Sequence, residues 1–317
     1  MRPVLMVLTK FASVLTALCL AASAFSARAQ EAAAWVIADN TTGFILDSSN
    51  GQKKLPIASL TKIATAMVVL DWSDSTKAEL NQLATVPPSA ARLASAQGVG
   101  LQPGDRVSLR DLLYAALMQS DNVSAETLAD HVGRALHTGD ASPVDTFVVQ
   151  MNALARAKGM LKTKFLNPHG LDNLERSVPV STAEDVARLT AYAMGNSAFR
   201  FYVSQHERRI NFTTADGEAS SYMLRNTNEL LGNSSIDGVK TGTTSRAGQC
   251  LVISAAKPPD SREENGKHYI TPRRLNVVVL GSNSRFPLAK SLMDRGWQLY
   301  DNWAAAGRPA KGWKPPR

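Results

Sequence analysis

The 317 residues are 44% hydrophobic and 20% charged, with 20 Gly and 15 Pro, which suffices for one large core or two ordinary lobes and excludes a disordered, collagen-like or disulfide-stapled chain. The formal net charge of +8 falls to +5 without residues 1–29, which hold Arg2, Lys10 and Arg28 and no acid; Arg308, Lys311, Lys314 and Arg317 carry four of the remainder. A body this close to neutral argues against a nucleic-acid groove, which would concentrate Lys and Arg to displace counterions.

In chain order, Arg2 and Lys10, the apolar run Phe11 to Phe25 and the small-x-small triplet Ala27-Arg28-Ala29 predict an export signal over 1–29. The apolar run falls short of the about twenty residues that a membrane helix needs, so a retained anchor is the lesser alternative. No later segment is long enough to span a bilayer. The mature chain is expected on the outer side of the cytoplasmic membrane or in the periplasm, with no transmembrane anchor. Cys19 goes with the signal, which leaves Cys250 alone as a buried strand residue and excludes an intrachain disulfide or a cysteine metal cluster.

Ala34 to Ala38, the polar turn Asn40-Thr41-Thr42-Gly43 and Phe44 to Asp47 read as strand, turn and strand. A helix is predicted to begin near Ser59, with Ile63, Met67 and Leu70 at helical spacing. Four more helical patterns follow: Leu109 to Met118, Asn122 to His131 closed by Gly133, Val144 to Lys158 closed by Gly159, and Thr182 to Met194 closed by Gly195. Ser181 and Glu184 stand at capping-box spacing for the last. Extended patterns return at Arg209 to Thr213, Gly238 to Thr243, Gly248 to Ala256 and Leu275 to Leu280, and Pro287 precedes a final helix near Leu288 to Trp303. Strands, a helical block and then strands predict an α/β (α+β) fold: a sheet with helices on it and a mostly helical lobe, about 75–205, inserted in its middle. The polar stretch Pro258 to Arg274 is expected to be a hairpin excursion into solvent. Gly307 to Arg317, with three Pro and four cations, is expected to be a basic disordered tail, and its Trp313 would add weak affinity for an anionic surface.

Three short motifs carry chemistry. Ser59 and Lys62, three apart at a helix start, share one face, which suits a nucleophile beside its base; a surface helix start explains the pair as well. Ser120-Asp121-Asn122 falls between two predicted helices, where it also reads as a turn with Ser120 or Asn122 as an N-cap. Lys240-Thr241-Gly242 places Gly inside a β-run, which is either a strand end or bulge or a site of close backbone approach.

Together and in this order the three resemble the active-site signature of the serine penicillin-recognising enzymes. The likeness extends to Pro56-Ile57-Ala58-Ser59-Leu60-Thr61-Lys62, Gln102-Pro103-Gly104-Asp105, Arg110-Asp111-Leu112-Leu113, Met151-Asn152 with Gly159-Met160, Asn167-Pro168-His169-Gly170-Leu171-Asp172, Arg225-Asn226-Thr227-Asn228 and Asp237 to Gly242 with Ala247-Gly248. Over roughly residues 34 to 300 the chain resembles the low-molecular-mass penicillin-binding proteins, in particular the D-alanyl-D-alanine carboxypeptidase and endopeptidase group. This implies a β-lactamase-like D,D-peptidase domain over 30–306, built on an antiparallel sheet flanked by helices.

The resemblance implies an acyl-enzyme on Ser59, with Lys62 as base, Ser120 relaying the proton to the leaving amine, and Asn122 holding Lys62 and the substrate amide. Backbone N–H groups of Ser59 and Thr243 would form the oxyanion hole. A free Lys has a pKa near 10.4 and a useful base sits near 7–8, so the site must penalise the ammonium by roughly 4 kcal/mol. Burial and a second cation, Lys240, are the expected sources. Arg225, Thr241, Gly242 and Thr243 would bind the substrate with Lys240, Arg225 taking the carboxylate, although a surface ion pair also accounts for Arg225. His169 reads as a turn residue. Peptidoglycan stem peptides are the implied substrate and β-lactam antibiotics the implied covalent inhibitors, with no metal or organic cofactor.

Thr243 stands where many carboxypeptidases of the group carry His, which leaves the leaving-group end open. Asp121 matches class A β-lactamases, but their deacylation pair would fall on Glu175 and Pro179, and Pro179 cannot supply the second group. The chain ends soon after its last helix, as expected of the endopeptidase branch. A D,D-carboxypeptidase is the leading reading, a D,D-endopeptidase the alternative; a β-lactamase or a catalytically silent wall-binding protein ranks behind both.

Overall fold

A computed structural model describes residues 32–311 apart from 97, 137–138 and 173–176. The predicted signal over 1–29, Glu175, and Trp313 with the end of the tail lie outside the described residues.

The chain begins with strands β1 (Ala32–Asp39), β2 (Ile45–Ser49) and the short β3 (Leu55–Pro56), then a 3-10 turn at Ala58–Leu60 and helix α1 (Thr61–Thr76). Next come β4 (Leu83–Thr85), a second 3-10 segment at Pro88–Leu93 and β5 (Arg106–Ser108). Helices α2 (Leu109–Met118), α3 (Asn122–Leu136) and α4 (Pro143–Ala157) follow, then β6 (Val180–Ser181), α5 (Ala183–Gly195) and α6 (Ser197–Val203). Strands β7 (Glu207–Thr213), β8 (Ala219–Arg225), β9 (Ile236–Thr244), β10 (Gly248–Glu264) and β11 (Lys267–Ser282) lead to helix α7 (Arg285–Ala305).

An antiparallel sheet in the order β2-β1-β11-β10-β9 organises the molecule. Side chains alternate across a strand, so β1 sends Ala34, Val36 and Ala38 to one face and Trp35 and Ile37 to the other, and all five are buried. The first face packs against α1 and the helical lobe. The second packs under α7 through Leu288, Leu292, Met293, Trp297, Tyr300 and Trp303. A strand covered on both faces reads as a nearly continuous apolar run, as β1 does.

Helix α1 is the pivot. Eleven of its sixteen residues, from Thr61 to Trp72, are buried. A helix apolar on all sides belongs inside a core, and this one carries Lys62 there. The lobe is not all helix, because β4 and β5 pair with β7 and β8 in a second, four-stranded sheet. Strand β8 has no counterpart in the sequence reading: its alternation of exposed and half-buried residues hides a single buried Leu224.

The structure departs from expectation in four further places. Gly133 does not close α3, which runs on to Leu136; a Cβ there would lie 1.9 Å from the Pro143 carbonyl oxygen, so Gly133 is where the start of α4 touches α3. The N-cap of α5 is Thr182, whose hydroxyl accepts from the Asp185 N–H at 3.1 Å, while Ser181 bonds Thr163 at 2.7 Å. Pro287 sits within the first turn of α7, where a missing N–H costs nothing. The tail is placed over its described part: Trp303 Nε1 donates to the Pro309 carbonyl at 3.1 Å and Arg308 pairs with Asp260.

The excursion at Pro258 to Arg274 is a two-stranded continuation of β10 and β11, paired out to Glu264 and Lys267, with Asn265 and Gly266 at φ 52° and 70° in its tip. No helix among the described residues is long and apolar enough to cross a membrane.

Because Gly133 has no room for a methyl group against backbone, Gly133→Ala is expected to lower unfolding free energy by about 3 kcal/mol through overpacking, measured by urea denaturation, with Gly195→Ala as a comparison in open space.

Candidate active site

The turn Ala58–Leu60 delivers Ser59 to the mouth of a pocket. Ala58 takes a left-handed φ of 48°, and Gly170 packs so close that a Cβ there would lie 2.0 Å from the Ala58 carbonyl oxygen. Ser59 is buried apart from a small exposed fraction of 8%. One turn along, Lys62 is fully buried, and its Nζ donates to Ser59 Oγ at 3.0 Å, Asn122 Oδ1 at 2.8 Å and the His169 carbonyl at 2.7 Å.

Those three partners determine what the amine can do. An ammonium has three N–H donors and all are used. The amide oxygen and the carbonyl can only accept, whereas a hydroxyl can also donate. When Lys62 loses its proton, its lone pair therefore faces Ser59, the one partner able to supply a replacement. Burial lowers the Lys62 pKa to about 7, and the negative charge of Asp121 works against that shift.

Lys240, on β9, is also buried, and its Nζ donates to the Thr241 carbonyl at 3.0 Å. Of the two expected sources, burial is the one that depresses Lys62; the repulsion from Lys62 and Arg285 falls instead on Lys240, whose pKa lies well below its ordinary value, chiefly through burial.

Strand β9 approaches the Ser59 turn edge-on. A Cβ on Gly242 would lie 2.9 Å from the Ser59 backbone nitrogen and 3.1 Å from Ala58 Cβ, which is the close approach that a Gly inside a strand signals. Thr241 Oγ1 is 2.6 Å from Thr227 Oγ1. A cavity of about 210 Å³ opens among Ser59, Ser120, Thr241, Gly242, Thr243 and Arg285. Ser120 reaches it from between α2 and α3 with φ 65°, and Asn122 is the first residue of α3. The cap of α3 is neither of these two: Asp121 Oδ1 accepts from the Ser124 N–H at 2.6 Å.

Two features lay beyond the sequence reading. The first is His169, whose side chain matters less than its carbonyl. The loop is locked by Asn167 Oδ1 accepting from Gly170 N–H at 2.6 Å and by Thr65 Oγ1 donating to the Pro168 carbonyl at 2.6 Å, and the His169 oxygen is thereby aimed at Lys62. Burial, Lys62 and Arg92 push the imidazole pKa down to about 3, so it stays neutral. The second is Arg285 at the start of α7, which donates to Thr243 Oγ1 at 2.9 Å and to the Gly242 carbonyl at 3.2 Å. Nothing local marks it, because 42 residues separate it from Thr243.

Arg225 is the expected site residue that the fold does not bring to the pocket. It ends β8 in the other sheet, its side chain is 80% exposed, and its Nε stands 3.4 Å from Glu207 in a neighbouring groove with Gln119, Tyr222 and Met223. Leu224 takes the buried side of that strand, which turns Arg225 outward. Cys250 is a free, buried strand residue whose thiol is pushed up to about 11 by burial.

Residues 21–262 match a family described as D-alanyl-D-alanine carboxypeptidase. The chain is 32% identical over 281 residues to D-alanyl-D-alanine carboxypeptidase DacC of Escherichia coli, covering 86% of this chain and 62% of that protein. It is 35% identical over 224 residues to a D-alanyl-D-alanine endopeptidase of Pseudomonas aeruginosa, covering 69% of this chain and 65% of that protein. The chain thus spans less than two thirds of the length of these relatives. The crystal structure of the Streptomyces K15 DD-transpeptidase superposes with a TM-score of 0.71 at 29% identity, covering 84% of this chain and 97% of that one. Penicillin-binding protein D2 of Listeria monocytogenes in its cefotaxime-bound form superposes with a TM-score of 0.65 at 29% identity, again over 84% of this chain and 97% of that one.

Gly242→Ala is expected to push β9 off the Ser59 turn and to slow labelling of Ser59 by a fluorescent penicillin about a hundredfold, while circular dichroism melting shows the fold retained.

Proposed function

Because this chain belongs to the D-alanyl-D-alanine carboxypeptidase family, we propose that it is a serine D,D-carboxypeptidase that removes the terminal D-Ala from peptidoglycan stem peptides. The observation that carries this reading is the fully buried Lys62, whose Nζ donates to Ser59 Oγ, the one of its three partners that could donate back to a neutral amine. As the neutral amine takes the hydroxyl proton, Ser59 Oγ attacks the carbonyl of the D-Ala–D-Ala bond. The N–H groups of Ser59 and Thr243 receive the oxyanion, in keeping with the contact between β9 and the Ser59 turn. Ser120 passes the proton to the leaving amine, the C–N bond breaks, and D-Ala departs from the acyl-enzyme, which water then hydrolyses. Asn122 holds Lys62 and the substrate amide.

The free carboxylate of the substrate needs a charged fork, and Arg285 supplies it beside Thr241 and Thr243, with Lys240 behind them. Arg225, exposed and paired with Glu207, is too far out on its own strand edge to share that task. β-Lactams enter by the same attack on Ser59 and leave the same kind of ester. The 35% identity to an endopeptidase favours a second reading, in which the leaving amine belongs to a crosslinked stem.

Digestion of purified muropeptides tests both. Loss of D-Ala from pentapeptide monomers is the expected result; conversion of dimers to monomers without it establishes the endopeptidase, and no product together with no penicillin uptake overturns both. Lys62→Arg, which stays charged at all working pH values, is expected to abolish labelling of Ser59. In the parent chain the acylation rate should climb about tenfold per pH unit below pH 7 and level off above it, because the neutral fraction of Lys62 grows as pH rises through about 7.

A further inference from the structure

The middle residue of the second motif has no part in the chemistry above, yet it is only 4% exposed and makes two well-formed bonds that converge from different segments. Asp121 Oδ1 accepts from the Ser124 N–H at 2.6 Å in the first turn of α3, and Asp121 Oδ2 accepts from the Val99 N–H at 3.1 Å. The segment bearing Val99 is a wall of the pocket: Ser95 and Gly98 line it opposite Thr241 and Thr243. It lies so close that a Cβ on Gly98 would meet Asp121 Oδ2 at 2.9 Å. The Asp121 N–H in turn donates to the Ala115 carbonyl of α2 at 3.1 Å. Neighbouring Ser120 sits in the left-handed region, and neighbouring Asn122 accepts from Lys62.

From this convergence we infer that Asp121 is a positioning residue for acylation, its carboxylate clamping the wall at Val99 to the start of α3 and thereby holding Ser120 and Asn122 at Lys62. The inference rests on the reading of Ser59 and Lys62 given above. An acceptor-only side chain is required, because two N–H donors approach its two oxygens. An amide would present its own N–H to one of them and leave that backbone donor buried and unsatisfied.

The clamp also has a sign. The carboxylate's charge favours the protonated form of Lys62, against burial. The other charged and titratable groups around the pair are Lys240 from β9 and Arg285 from α7, both cationic when protonated, neutral His169, and, on the wall side, Arg92 with Glu126, whose carboxylate accepts from Ser89 Oγ at 3.1 Å. Asp121 and Glu126 thus fasten Val99 and Ser89, respectively, to α3. Among the charged neighbours, Asp121 is the one that raises the affinity of Lys62 for its proton.

The test uses the full chain and reads the second-order rate of Ser59 acylation by a fluorescent penicillin between pH 5 and 9, beside thermal melting. Asp121→Asn is expected to slow acylation at pH 8 about tenfold and to move the acid limb of the profile down by about half a pH unit or more, because the removed charge had favoured protonated Lys62. Gly98→Ala keeps the charge but presses the wall off the carboxylate, so it should slow acylation with the acid limb unmoved. If Asp121→Asn fails to fold, Gly98→Ala decides on rate beside melting: slower acylation at an unchanged melting temperature is the expected result, and an unchanged rate, or a loss of rate that only follows a loss of stability, overturns the clamp. A purely structural cap would slow acylation in Asp121→Asn without shifting its limb, and that result overturns the inference, as does an unchanged rate in both variants. Failure of the parent chain to take up penicillin overturns the underlying enzyme reading with it, whereas normal uptake by parent and both variants overturns the clamp alone.

Discussion

An amine buried without a paired carboxylate in direct contact governs the rest of this structure. Lys62 meets one hydroxyl, one amide oxygen and one backbone carbonyl, and all three are neutral. A cation in such surroundings loses its hydration and touches only dipoles in return, and the opposing charge of nearby Asp121 is the smaller effect, so its proton becomes labile near neutrality. The three oxygens come from three parts of the chain: the Ser59 turn, the start of α3 and the loop at His169. Only a core that holds these together can keep the amine dry. That requirement explains why α1 is buried on nearly every side, a poor design for a surface helix and a necessary one for a helix that carries its reactive group inward.

Close backbone contacts do the rest of the assembly. Gly170 against Ala58, Gly242 against the Ser59 nitrogen, and Gly98 against Asp121 all mark places where one chain segment must approach another more closely than a Cβ permits. The contacts at Gly242 and Gly98 bring walls of the pocket up to the site, and the one at Gly170 goes with the loop whose His169 carbonyl meets Lys62. The end of β9 is held in addition by Asp172, which accepts from Thr244 Oγ1 at 3.0 Å and from the Arg246 N–H at 3.2 Å. The pocket is thus framed by backbone and small residues, with Lys240 behind it and the Arg285 guanidinium at its rim.

The exchange of Arg225 for Arg285 shows how far spacing along a chain can be trusted. Fifteen residues before Lys240, Arg225 stands on a strand, but that strand belongs to the four-stranded sheet and not to the one that carries Lys240. With Leu224 buried, the alternation of the pleat sends Arg225 into solvent. Arg285 reaches the site because α7 starts where β11 ends, next to the turn after β9, a neighbourhood created by the antiparallel return of three strands. The same limit explains Gly133 and Ser181. A Gly in a helical pattern resembles a stop until another helix is seen resting on it, and two adjacent hydroxyl residues compete for one cap until Thr163 claims Ser181.

What the amino-acid order determined by itself was local: the i, i+3 pairing of Ser59 with Lys62 on a helix, the placement of Ser120 and Asn122 between two helices, the run that puts Lys240 and Gly242 on one strand, and the apolar periods that separate sheet from lobe. These follow from rotations of 100° or 180° per residue, which depend on neighbours a few positions away. What only the tertiary structure decided was every property that needs distant groups at once: that burial outweighs a second cation in freeing Lys62, that a carbonyl at position 169 completes its shell, that Arg285 and not Arg225 faces the pocket, and that Asp121 ties wall to helix. Desolvation and hydrogen-bond geometry are properties of an enclosed space, and the chain acquires that space only when sheet, helix and lobe close around α1.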